Sequence, residues 1–246
     1  MNKTHDIIID RTKLHPWLNY KLTLLLKQCA KKRIYLIITQ GFRSKAQQDE
    51  LYAQGRTKKG NIVTNAKGSD YSSQHQWGIA FDIAINDKKL LYDEATIRKV
   101  AKIAKSKKVG LAWGGDWVSP VDTPHFYLGK WGDTSAKLKR TYGTFEKFKK
   151  TWTEEVFGTK KGLNIWNKTR TKVLKKKLPN KTKVNVMYVK KGYAKVECNG
   201  VVGYMKAKYL LQMVLKWYWK KLKIQKYKHS RNFRGCLFFV LLNDFL

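Results

Sequence analysis

Apolar side chains at Leu18, Leu22, Leu25, Leu26 and Cys29 recur at the spacing of one helical face, which predicts an amphipathic helix over 18–29. The run Arg-Ile-Tyr-Leu-Ile-Ile-Thr at 33–39 is β-branched and aromatic, reads as a buried strand, and stops at Gly41. A second helix is expected over 44–53, with Ser44 as N-cap and Gln47 three residues on in the capping-box position. Residues 54–71, rich in Gly, Lys, Asn and Ser, read as a mobile loop. Residues 77–85, Trp-Gly-Ile-Ala-Phe-Asp-Ile-Ala-Ile, are apolar on both faces except for one carboxylate, the pattern of a central strand. A helix over 93–107, a Gly/Trp-rich turn at 110–117 and a strand at 125–128 follow. Helices and short strands out of strict alternation predict an α+β fold rather than a doubly wound sheet.

The pattern then changes. Residues 145–157 read as a closing helix and Gly-Thr-Lys-Lys-Gly at 158–162 as a linker, so the first domain is placed at 1–157. Residues 163–211 hold short Val-rich runs at 184–189, 193–197 and 201–205, separated by Lys-Lys-Gly and by Asn199-Gly200. Asn-Gly between alternating runs is a strong hairpin signal, and short strands with tight turns predict a small all-β barrel. Residues 212–246 are basic and aromatic up to Arg234, then apolar, with no clear period and no assigned role.

Composition narrows the function classes. With 43% hydrophobic and 13% aromatic residues the chain can bury a core, which a disordered polyelectrolyte cannot. Its 52 Lys+Arg against 17 Asp+Glu leave a net charge of +35, with +16 in residues 1–150 and +19 in 151–246. Such a field favours a polyanionic partner: nucleic acid, anionic lipid or an anionic cell wall. Cys29, Cys198 and Cys236 form no C-x-x-C pair, which argues against a disulfide framework and a thiolate zinc site. Asp6 and Asp10 interrupt the only apolar stretch near the start, and no run reaches the ~18 apolar residues of a spanning helix. The expectation is a chain made in the cytoplasm without a signal peptide or transmembrane segment, needing a separate route to any target outside.

Asp82, between Phe81 and Ile83, is the first chemical clue, because a buried carboxylate requires a cation, a hydrogen-bond cluster or a metal. His75 stands seven residues earlier, and Gly78 lets the chain between them pass closely. Ala80 and Ala84 leave room on the face that Asp82 shares by strand alternation. In Asp122-Thr-Pro-His125 the proline sets the backbone just before a strand that would present His125 inward. Two imidazoles and one carboxylate suit Zn²⁺ with an open fourth position. Taken singly, a buried Asp or His also has ordinary structural roles open to it. Trp113 and Trp117 read as core or cleft wall, and His5, His15 and His229 match no motif.

The joint pattern resembles the zinc peptidases that cut bacterial cell-wall peptides, the D-alanyl-D-alanine carboxypeptidases and dipeptidases together with the phage L-alanyl-D-glutamate endopeptidases. The resemblance runs through Gly41-Phe-Arg-Ser44, Gln47-Gln-Asp-Glu-Leu-Tyr-Ala-Gln-Gly-Arg56, Ser73-x-His75-x-x-Gly78-x-Ala80-x-Asp82, Trp113-Gly-Gly-Asp-Trp117 and Asp122-x-Pro-His125-Phe. The Trp-Gly-Gly-Asp-Trp turn and the Gln-Gln-Asp-Glu-Leu-Tyr helix look most like the endolysin branch. It implies a fold of the hedgehog/D,D-peptidase type, zinc held by His75, Asp82 and His125, and Asp122 as catalytic acid/base where many members have Glu. Arg43 is then an oxyanion partner that touches substrate, and Ser73 either touches substrate or orients backbone. Residues 163–211 resemble a bacterial SH3-like domain through Gly192-Tyr-Ala-Lys-Val and Gly200-Val-Val-Gly-Tyr-Met, although Leu163-Asn-Ile-Trp-Asn-Lys departs from its usual opening. Such domains commonly bind peptidoglycan.

The resulting expectation is a monomeric, endolysin-like peptidoglycan hydrolase, with Zn²⁺ as cofactor and bacterial peptidoglycan as partner. It would wait in the cytoplasm and act on the wall after release. Two rivals stay open: a D-alanyl-D-alanine carboxypeptidase using the same site, and a non-catalytic basic binder of wall polymer or nucleic acid. No nucleic-acid motif supports the last.

Overall fold

A computed structural model describes residues 4–210, and their contacts divide into two compact units, 4–151 and 152–210. The expectation for residues 212–246 lies outside the described residues.

In the first unit, helix α1 (Pro16–Lys31) carries the predicted stripe. Leu18, Leu22, Leu25, Leu26 and Cys29 are all buried, each leucine contributing roughly 1.5–3 kcal/mol of transfer free energy. The mixed sheet runs β1 (Asp6–Ile7), β2 (Leu36–Gln40), β3 (Ala80–Ile85), β5 (His125–Tyr127), β4 (Ala112–Trp113) in spatial order. Only the β1–β2 pair is parallel. Helix α2 (Lys45–Ala53) begins at the expected capping box, with Gln47 N–H donating to Ser44 Oγ and Ser44 N–H donating to Gln47 Oε1. Helix α3 (Glu94–Lys105) packs against α1 through its own apolar face, including Ile97, Val100, Ala101 and Ala104.

Two local expectations need correction. The central strand starts at Ala80, because Gln74–Trp77 form a 3-10 turn ended by Gly78 at φ +61, a left-handed conformation no extended strand has. The closing helix expected to 157 is two short helices, α4 (Ala136–Tyr142) and α5 (Phe145–Lys149), and residues 153–155 are already strand. Phe148 ends this region in a ring cluster with Trp77, Trp131 and Tyr142, which seals the unit before the chain leaves it.

The second unit is an antiparallel sheet of six strands: β6 (Thr153–Glu155), β7 (Leu163–Trp166), β8 (Val173–Leu178), β9 (Lys183–Lys190), β10 (Tyr193–Cys198) and β11 (Val201–Lys206). Their order is β6-β9-β10-β11-β7-β8. Asn199 and Gly200 both have positive φ, as the predicted hairpin turn requires, and Lys191-Gly192 repeats the device between β9 and β10. Among the described residues the sheet does not close into the small barrel expected. The terminal strands β6 and β8 do not pair with each other, and β6 comes from residues assigned on sequence to a helix. Val184, Val186, Val196, Met205 and Leu210 lie in its core.

Candidate active site

Strand pairing brings the first two candidate ligands together. Asp82 on β3 and His125 on β5 are direct cross-strand partners, so their side chains share a face of the sheet. His125 Nδ1 lies 2.9 Å from Asp82 Oδ1. His75 arrives from the 3-10 turn before Gly78, and its Nε2 lies 3.2 Å from both Asp82 Oδ1 and His125 Nδ1.

The outer edges of the two imidazoles are occupied. His75 Nδ1 is 2.7 Å from the Gly41 carbonyl oxygen, and His125 Nε2 is 2.7 Å from Gln74 Oε1. A carbonyl and an amide oxygen only accept, so each outer nitrogen carries the proton and donates it. The inner nitrogens are then lone pairs, and with Asp82 Oδ1 they form three acceptors facing one another. Burial pushes the His75 imidazole down, towards the neutral form, against the pull of Asp82. Three converging acceptors repel unless a cation sits among them. Tetrahedral ligands at 2.0–2.2 Å from Zn²⁺ stand roughly 3.3–3.5 Å apart, close to the observed separations. The donor set therefore fits zinc.

Arg43 enters between α2 and the sheet. Its Nη2 is 3.3 Å from Asp82 Oδ2, and its Nη1 donates to Gln48 Oε1 at 3.1 Å. Arg43 Nε is buried and has no hydrogen-bond partner among the described residues. Asp122 lies in the turn before β5, where its carbonyl accepts the His125 N–H at 3.3 Å. Burial raises its carboxyl pKa, in partial opposition to the nearby imidazoles and Arg43.

Arg43, Ser73, His75, Asp122 and His125 all line one cleft of about 740 Å³. Ser73 sits at its edge, at the start of the 3-10 turn, with its N–H directed to Gln76 Oε1. Of the two tryptophans, Trp113 is core and Trp117 is wall. The Trp117 ring stands 5.0 Å from that of His125, and its Nε1–H donates to Tyr127 Oη. Tyr127 in turn donates to Asp133; burial and that carboxylate push its phenol up to about 12.

Sequence reasoning missed the residues that orient the site. Gln74 and Gln48 are buried amides without a motif role of their own, and the Gly41 oxygen is backbone. A buried glutamine beside a candidate ligand was the available signal for Gln74. His5 and His15 are fasteners. His5 Nδ1 accepts the Leu36 N–H, while His15 caps α1 by accepting the Trp17 N–H.

A family model described as D-alanyl-D-alanine carboxypeptidase matches residues 67–128, which include Ser73, His75, Asp82, Asp122 and His125. The chain is 42% identical over 126 residues to the peptidoglycan L-alanyl-D-glutamate endopeptidase CwlK of Bacillus subtilis, covering 47% of this chain and 73% of that protein. Among solved structures it is similar to the Serratia marcescens L-Ala D-Glu endopeptidase ChiX, at 20% identity and TM-score 0.34, over 48% of this chain and 82% of the other. It is also similar to the vancomycin-resistance D,D-dipeptidase VanXYg, at 14% identity and TM-score 0.36, over 78% and 80%. The identity to CwlK extends over most of that protein's length, and the chain belongs to the family of zinc-dependent D-alanyl-D-alanine carboxypeptidases and their endopeptidase relatives.

Proposed function

We propose that the chain is a peptidoglycan hydrolase that cleaves the stem peptide at the L-alanyl-D-glutamate bond. The carrying observation is the convergence of His75 Nε2, His125 Nδ1 and Asp82 Oδ1 at a cleft that His75 and His125 line together with Arg43 and Asp122. Sequence identity to an endopeptidase of that specificity supports the choice of bond.

His75, Asp82 and His125 would hold zinc, which when bound polarises a scissile carbonyl and makes water acidic enough to ionise near neutral pH. Asp122 takes the proton of the attacking water on its carboxylate and returns it to the departing amine. Its raised pKa suits both halves of that task, because a carboxyl closer to neutrality gives the proton back more readily. Arg43, whose side chain lines the cleft, stabilises the oxygen that becomes negative as the carbonyl is attacked. Ser73 contacts substrate at the cleft edge.

The endolysin-type role, action as a monomer and release from the cytoplasm to the wall belong to this proposal and rest on the motif resemblance. So does wall attachment by the SH3-like second unit, which its charge supports: fifteen Lys and Arg against three Glu in residues 152–210. Digestion of purified peptidoglycan, with identification of the new termini, tests the reading. A free L-Ala carboxyl with a new D-Glu amine supports it. Released D-Ala would replace it with the carboxypeptidase reading, and no cleavage would remove it.

A further inference from the structure

The segment 158–162 is no linker. It lies inside the second unit and walls a cavity of about 630 Å³. Its start is clasped: Thr159 N–H donates to Asn180 Oδ1 at 3.1 Å, and Asn180 Nδ2 donates back to the Thr159 carbonyl at 3.2 Å. Its end is pinned at Gly162, where φ is +80 and an added Cβ would come within 2.8 Å of the Lys177 backbone. Lys160 and Lys161 are thus presented between two anchored points.

Arg170 faces the same cavity from the turn between β7 and β8. That turn is stapled by Asn167, whose Oδ1 accepts the N–H groups of Thr171 and Lys172. The Arg170 guanidinium lies 4.5 Å from the centre of the Tyr193 ring, and Lys206, the cross-strand partner of Tyr193, adds a fourth cation. None of these four cations has an ion pair among the described residues, and no carboxylate lines the cavity. The lining holds rings as well. Tyr193 is covered by Arg170 and Tyr209 by Lys208, which leaves Trp166 as the ring without a cation over it among the described residues.

We infer that this cavity binds a sugar–phosphate polymer, with phosphodiesters on Lys160, Lys161, Arg170 and Lys206 and a sugar ring on Trp166. Cations without carboxylates select a ligand that is anionic throughout and disfavour a peptide carrying an ammonium group. A single uncapped ring suits one sugar residue, whereas single-stranded nucleic acid needs a succession of open stacking faces. The inference refines the wall-attachment part of the proposed function and names its ligand and site.

The test is calorimetric binding of glucosylated glycerol-phosphate oligomers to the full chain. Unsubstituted glycerol phosphate, neutral maltohexaose and a twelve-residue oligo-dT serve as comparisons. The glucosylated oligomer should bind tightest, with affinity falling as salt rises. Arg170→Gln, and Lys160→Gln with Lys161→Gln, should each weaken it at least tenfold. The exposed pair Lys176→Gln with Lys181→Gln, outside the cavity, should change it less than twofold. Trp166→Phe should keep the fold and reduce the preference for the glucosylated form. The inference is overturned if the control pair weakens binding equally, if the glucosyl groups make no difference, or if oligo-dT competes as well. Hydrolysis of a soluble stem peptide by the same preparations reports on the first unit. Failure of the unsubstituted chain to bind the oligomer, with hydrolysis intact, would count against this site alone, and binding without hydrolysis against the peptidase reading alone.

Discussion

Gln74 Oε1 accepts a hydrogen bond from His125 Nε2–H at 2.7 Å, and that contact decides which nitrogen of the imidazole is left to bind a cation. Without it the ring could flip or change tautomer, and the inner lone pair would be lost for part of the time. Gln74→Leu should therefore lower zinc affinity about 10–100-fold, the usual effect of removing a group that orients a ligand. Chelator competition measures it, with circular dichroism confirming the fold; unchanged affinity would assign Gln74 to packing alone.

Metal dependence should be complete. Excess EDTA is expected to abolish hydrolysis and Zn²⁺ to restore it. His75→Ala, Asp82→Ala and His125→Ala should each lose metal together with activity, since three ligands leave no spare. Activity that persists in chelator with no bound metal would sink the assignment.

Asp122→Asn separates the acid/base role from ligation. It preserves shape and should keep zinc near one equivalent while turnover falls ~10²–10⁴-fold. Loss of zinc from this variant would make Asp122 a ligand and reopen the place of Asp82. Asp122→Glu should retain appreciable activity, because Glu stands at this position in many relatives that the sequence resembles.

Gly114 has no space for a side chain. A Cβ there would stand 2.6 Å from the Asp122 carbonyl oxygen and 3.0 Å from the His125 Cβ. Gly114→Ala should displace both residues, lowering metal affinity and turnover together while thermal stability drops by the few degrees of a local clash. Unaltered zinc binding and rate would show that the turn absorbs the methyl group elsewhere.

His15 sets an acid limit on stability. Burial, with the charge of Lys130 adding to it, lowers its pKa from 6.5 to about 3. The unfolded chain therefore takes up a proton below pH 6.5 that the folded chain refuses until about pH 3. Stability from this group is complete above pH 6.5 and declines as the pH falls, by about 2 kcal/mol at pH 5. His15→Asn, which keeps a capping side chain, should flatten that part of the profile in denaturant titrations at pH 7 and 5. An unchanged slope between the two pH values would assign the acid sensitivity elsewhere.

Local order was legible along the chain because it depends on neighbours. The stripe Leu18–Leu22–Leu25–Leu26–Cys29, the Ser44 capping box and the Asn199-Gly200 turn each state their own geometry within a few residues. The candidate site residues were legible for a different reason: the ligands His75, Asp82 and His125 and the acid/base Asp122 stand at spacings shared with a family. What pattern alone could not supply was anything set by partners distant in sequence. The pairing of β3 with β5 puts Asp82 opposite His125, and only then does Gln74 become the group that fixes a tautomer. In the same way, 158–162 has a linker's composition, since Gly and Lys look alike in a tether and in a cavity wall. Asn180, twenty-one residues past Thr159, makes it a wall, because a hydrogen-bond clasp depends on distance in space and not along the chain.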